Sequence, residues 1–187
     1  MKTSVEGIMY PVGAKALISS RVSSCLEHCL PSSYVEVPHA AWSKCSSVLS
    51  SVLSFGVSED VSRVFVLAPL HKGPVAFGDG CKVYAPSDGE LCGSDWKVSL
   101  SVPSSLSSSV VCSDDVCSEE CSLEIIAPYL SALFPNAKVC YLLATGFGDA
   151  VQKIVEIIRT DFPFSRIFIS NNKETECAAM WKEAFDR

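Results

Sequence analysis

The chain has 187 residues, 48% of them hydrophobic, a formal net charge of −6 and a mean hydropathy of +0.29. These values describe a single compact globular domain with a sizeable core and argue against a disordered chain. No clustered Lys and Arg offer the phosphate contacts that nucleic-acid binding needs, and no apolar run approaches the roughly 18 to 20 residues of a membrane span.

The opening stretch, MKTSVEGIMYPVGAKAL, has one early lysine but no continuous apolar segment behind it, so no secretory signal is expected. A cytoplasmic setting follows as the default. In reducing cytosol the ten cysteines are expected to be free thiols that pack as small hydrophobes. Cys112, Cys117 and Cys121 lie close together, but their spacing matches no zinc or iron–sulfur signature.

In chain order, residues 13 to 30 carry an apolar stripe of helical spacing that ends at Pro31. SYVEV reads as a strand. Trp42, Cys45, Val48, Leu49, Val52 and Leu53 then mark one face of a second helix, closed by Gly56. SRVFVLA is a continuous apolar run of the kind found in buried parallel strands. Residues 34 to 68 therefore form a strand–helix–strand unit with parallel strands. PVAFGDGCKVYAP suggests a hairpin around Gly78-Asp79-Gly80, and a short strand and a serine-rich surface stretch follow it. Glu119 to Phe134 reads as an amphipathic helix containing Pro128. AKVCYLLAT is another buried strand, followed by a helix from about 149 to 160. SRIFIS and KETECAAMWKEAF supply a last strand and a last helix. The alternation predicts one domain over residues 1 to 187, a three-layer α/β/α fold with a mainly parallel central sheet.

The three histidines then become informative. His39 follows the strand YVEV and His71 follows VFVLA, each beside or near a proline. In open parallel sheets, ligands bind in the crevice outside the carboxyl ends of the strands. Parallel strands bring both imidazoles to that edge, one or two strand spacings apart, as a candidate pair for iron, zinc, copper or proton transfer. His28, in the first helix, lacks such a setting. The same edge is expected to receive Thr145 and Gly146, whose backbone can approach a ligand, and Ser170, Asn171 and Asn172. The acids around DDVCSEECSLE either favour a helix N-terminus electrostatically or serve the site.

Taken together, Tyr10-Pro11, VPHAAW, VLAPLH, YAPSDGELCGSD, EECSLEIIAPYL and IFISNN resemble, in order and spacing, the landmarks of the Memo family, relatives of the class III extradiol (LigB-type) dioxygenases. The resemblance extends over nearly the whole chain. It implies a LigB/Memo-like fold and places the family's metal-binding histidines on His39 and His71. The pocket histidine of the family's EHSLE segment falls on Cys121 and its neighbouring acid on Glu120, which makes these two the candidate catalytic residues. Trp42, Asn171 and Asn172 fall in the pocket, with Asn172 standing where the family has aspartate. A third metal-site residue lacks a clear counterpart, Cys177 being the nearest thiol, and the family's chains continue past the equivalent of Arg187. The chain thus reads as a shortened, divergent relative with a partly dismantled metal site.

Two functions follow from the resemblance. One is a binding protein that takes a small molecule or peptide in the old crevice, with or without a metal. The other is an iron- or copper-dependent oxidoreductase whose third ligand comes from Cys121, Glu120 or Cys177; zinc is the further metal that a Cys/His pair suits. A weaker third reading makes Cys121 a nucleophile with a histidine as its base. Neither nucleic acid nor membrane is expected as a partner, and the sequence does not indicate an oligomeric state.

Overall fold

The computed structural model describes residues 13–15, 17–18, 34–41, 43–44, 49, 61–71, 76–171 and 178–187. Its centre is an eight-stranded, mostly parallel sheet with the path β1-β10-β2-β8-β4-β7. The strands are β1 (Val35–Pro38), β2 (Arg63–Pro69), β4 (Val83–Ala85), β7 (Val111–Cys112), β8 (Lys138–Ala144) and β10 (Arg166–Asn171). Two more, β5 (Gly89–Cys92) and β6 (Lys97–Leu100), form an antiparallel pair that joins the sheet through β6 and β8. Strand β8 is parallel to β2 along its whole length, and its other edge is shared between β6 at the start and antiparallel β4 at the end. The predicted three-layer α/β architecture is what the chain adopts.

Periodicity explains the layers. In a strand, successive side chains point to opposite faces, and β2 and β8 are apolar at nearly every position because both faces are covered. Val64, Val66 and Ala68 join Val139, Tyr141 and Leu143 in one core cluster, with Leu123, Ile126, Ala127 and Leu130 of helix α2 (Ser122–Leu133). Phe65, Leu67, Cys140 and Leu142 face the other way, onto Val151, Ile154, Val155 and Ile158 of α3 (Asp149–Asp161) and Met180, Trp181 and Phe185 of α4 (Ala178–Asp186). Each such large side chain stabilises the fold by about 1.5–3 kcal/mol on full burial. Trp181 Nε1 donates to the Ala68 carbonyl at 3.1 Å, which fastens α4 to the carboxyl end of β2.

Strand β10 inserts between β1 and β2 and is parallel to both, so the parallel pair expected from residues 34 to 68 lies two strand spacings apart, within the one or two expected. Two other expectations need correction. The Gly78-Asp79-Gly80 segment is a short 3-10 turn rather than a hairpin tip. Its preceding strand β3 (Ala76–Phe77) pairs in parallel with β9 (Gly146–Phe147), while β4 pairs with β7 and β8. The helix expected over Glu119 to Phe134 is α2, which starts only at Ser122; a separate short helix, α1 (Asp114–Ser118), precedes it across a corner at Glu119-Glu120-Cys121. Helical backbone at residues 14–15, 17–18, 43–44 and 49 agrees with the first two predicted helices; the rest of those two, with His28, lies outside the described residues.

The glycines after β8 serve this packing. A Cβ at Gly146 would collide with the Ala76 carbonyl oxygen, and one at Gly148 with that of Gly78. Thr145 is also committed, accepting from the Lys82 amide at 2.9 Å while its own carbonyl accepts from Ala76 N at 3.0 Å. The TGFG segment therefore receives the chain around β3 and is not an open ligand-binding loop. Because the obstructing atom at Gly146 is backbone and cannot swing aside, Gly146→Ala is expected to cost about 3 kcal/mol or more; urea denaturation followed by tryptophan fluorescence would measure it.

Candidate functional site

The site assembles at the carboxyl edge of the parallel strands. His39 directly follows Pro38, the last residue of β1, and His71 comes two residues after Pro69, the last of β2. Between them β10 brings Ser170, 1% exposed, to the same edge. From above, the α1–α2 corner lowers Glu120 and Cys121 onto the two histidines. The imidazole rings approach edge to face, with centroids 4.8 Å apart.

Glu120 holds His71 at two points. Its Oε1 accepts the His71 backbone N–H at 2.7 Å, and its Oε2 lies 2.7 Å from His71 Nδ1. Glu120 is only 4% exposed, so its carboxylate must find partners inside the protein, and these two donors fill that need. The Nδ1 position of His71 therefore carries the proton. Its Nε2 is shielded from solvent and meets no hydrogen-bond partner among the described residues.

His39 is held differently. Its Nδ1 lies 3.1 Å from Ser170 Oγ, and its Nε2 lies 3.5 Å from Cys121 Sγ. Burial, with a smaller contribution from the neighbouring His71, pushes its pKa from 6.5 down to about 4. Burial, then the Glu120 carboxylate, pushes the Cys121 thiol upward. Both directions favour a neutral thiol and a neutral imidazole, in which Cys121 S–H donates to Nε2 and Nδ1–H donates to Ser170. The pair is a hydrogen-bonded chain at rest and not a thiolate–imidazolium pair.

Cys121 is also the N-cap residue of the 12-residue helix α2, with φ −98° and ψ 0°, and its side chain makes no capping bond. Ser, Thr, Asp or Asn is preferred at that position because its oxygen accepts a free helix amide. Here the side chain turns to His39 instead.

Of the residues expected at the site, His39, His71, Glu120 and Cys121 are brought together. Asn171 ends β10 opposite Pro38. Trp42, Asn172 and Cys177 lie outside the described residues. Sequence reasoning missed the grip of Glu120 on His71 and the role of Ser170 as a partner of His39. It also missed Tyr141 beneath the site, a fully buried phenol that adjoins Ser122 and the Glu120 charge and whose ionisation burial strongly disfavours. A strand residue pointing down from β8 carries no local sign of such a neighbourhood.

The fit to a metal is partial. A carboxylate on Nδ1 with Nε2 left open is how metal-binding histidines are oriented, and His71 meets that description. His39 does not, since both its nitrogens have protein partners. Among the described residues no group of three His, Cys, Asp or Glu side chains is placed to hold a metal ion. The three-ligand iron or copper centre implied by the resemblance is therefore not met by these residues. No helix among the described residues is long and apolar enough to cross a membrane. No family model and no curated protein sequence matches the chain.

The low pKa of His39 has a consequence for stability. The unfolded chain takes up this proton near pH 6.5, whereas the folded protein resists it until about pH 4. The unfolded state binds more protons in that window, so stability falls as pH drops from 6.5 towards 4. Urea midpoints measured across that range should fall, and His39→Gln should flatten the decline.

Proposed function

We propose that the chain is a divergent Memo-like protein that binds a small molecule or a peptide group in the crevice at the carboxyl edge of its sheet. The observation that carries this reading is His71 Nε2, sealed from solvent and unpartnered among the described residues on a ring fixed by Glu120. In the neutral ring Nε2 offers a lone pair, so the complementary ligand group is an O–H or N–H donor. A buried acceptor without a partner costs about 1–3 kcal/mol, which a ligand donor would offset. The His39 ring supplies a wall for the same group. The family part of the proposal is supported by the VPHAAW, VLAPLH and EECSLEIIAPYL segments, from which His39, His71 and Glu120 meet at one edge.

A metal-dependent oxidoreductase is the second reading, and the carboxylate-backed imidazole of His71 is what favours it. Metal analysis of purified protein separates the two. Binding without redox chemistry expects substoichiometric iron, copper and zinc. Stoichiometric iron or copper that disappears in the His39→Ala/His71→Ala double variant would overturn it. For a positive test, nitrogen-15 NMR of the imidazoles would follow a library of small hydroxyl- and amide-bearing molecules and peptides. A binder that shifts His71 Nε2 is expected, with affinity lowered about tenfold in His71→Phe through loss of one buried hydrogen bond.

A further inference from the structure

Beyond the wall that the His39 ring supplies, the Cys121–His39–Ser170 chain makes no polar contribution to simple ligand binding as described above, yet it has the components of an assisted nucleophile. The sulfur is 3.5 Å from an imidazole nitrogen, and the other nitrogen of that ring is oriented by a buried hydroxyl at 3.1 Å. A nucleophile beside a base that a third group orients is the signature of covalent capture. We infer that Cys121 is a site of reversible covalent addition, at which its Sγ adds to the carbonyl carbon of a small aldehyde bound in the crevice. This rests on the reading that the crevice takes a small polar ligand, and it names the class of that ligand.

The step balances without a co-reactant. The sulfur lone pair forms the S–C bond while the carbonyl π pair moves onto oxygen. The thiol proton passes to His39 Nε2 and from there to that oxygen, leaving a hemithioacetal and regenerating the neutral imidazole. Nothing is oxidised and no group leaves.

Two features of the surroundings suit this addition. The side chain of Cys121 is free of the helix it caps, so the sulfur is available while the amides at the start of α2 favour negative charge developing on it. In addition, His71 Nε2 discriminates between reactant and product. An aldehyde oxygen has no proton to give it, whereas the hydroxyl of the hemithioacetal can donate to its lone pair, so the site is complementary to the adduct. The other described thiols lack this setting: Cys92 and Cys112 are exposed, and Cys81, Cys117 and Cys140 are buried.

The full chain would be treated with propanal labelled with carbon-13 at C1 and examined by carbon-13 NMR. In parallel, protection of each cysteine from alkylation would be read by peptide mass spectrometry. We expect one saturating hemithioacetal resonance and protection of Cys121 alone, with the resonance lost in Cys121→Ser. His39→Gln should slow its appearance at least about tenfold, the lower range for a lost general base being near a hundredfold, and leave its final size largely unchanged. His71→Phe should reduce its final size. Absence of the resonance from the wild-type protein would overturn the inference, as would alkylation of Cys121 unhindered by propanal; both are read on the wild-type fold. If other ligands still shift His71 Nε2 in that case, only the covalent step fails. If nothing perturbs His71, the binding reading fails with it.

Discussion

The grip of one buried carboxylate on His71 is the constraint from which the site follows. Glu120 reaches across 49 positions of sequence to accept both the main-chain amide and the ring nitrogen of one residue. A carboxylate so deeply buried is strongly destabilising unless its oxygens are bonded, so the α1–α2 corner cannot drift away from the end of β2. With the corner fixed, the next residue has nowhere to go but against His39. Two contacts far apart in sequence are thereby coupled, and the orientation of one histidine determines which atom faces the other.

The sheet supplies the rest of the geometry. Parallel strands deliver their ends to one edge, and β10, lodged between β1 and β2, separates the two histidine-bearing ends by two strand spacings while offering Ser170 in the gap. The rings nevertheless come to 4.8 Å, because each projects from the residues that follow its strand. Below them, β2 and β8 are packed on both faces, which gives a rigid floor. Ligand sites benefit from such floors because the groups on them need little reordering on binding.

Much of this was legible in the sequence, for physical reasons that differ by element. VFVLA and VCYLLA announce themselves because a strand covered on both faces must be apolar at every position. The helix of residues 149 to 161 shows its one-sided stripe. His39 and His71 could be assigned to the same edge from strand order alone, since topology fixes direction. What was hidden is long-range. The insertion of β10 depends on packing between distant segments, and no local pattern records that Glu120 will meet His71 or that Cys121 will meet His39. The GDG turn resembled a hairpin because glycine and aspartate are what a hairpin tip and a 3-10 turn both accept. The glycines near 146 invited a ligand-binding reading, when another stretch of the protein's own backbone takes the space.

Cys121 closes a different circle. A residue at the mouth of a helix has two claims on its side chain, the free amides behind it and whatever lies in front. An oxygen-bearing residue at that position would be drawn to the amides, strengthening the helix by about 1 kcal/mol and releasing His39 from its partner. Sulfur is a poor acceptor for those amides, so it is left to the histidine. Selection for a sturdier fold and selection for an occupied imidazole thus pull position 121 in opposite directions. In relatives of this chain, whichever residue stands there would record which of the two has prevailed.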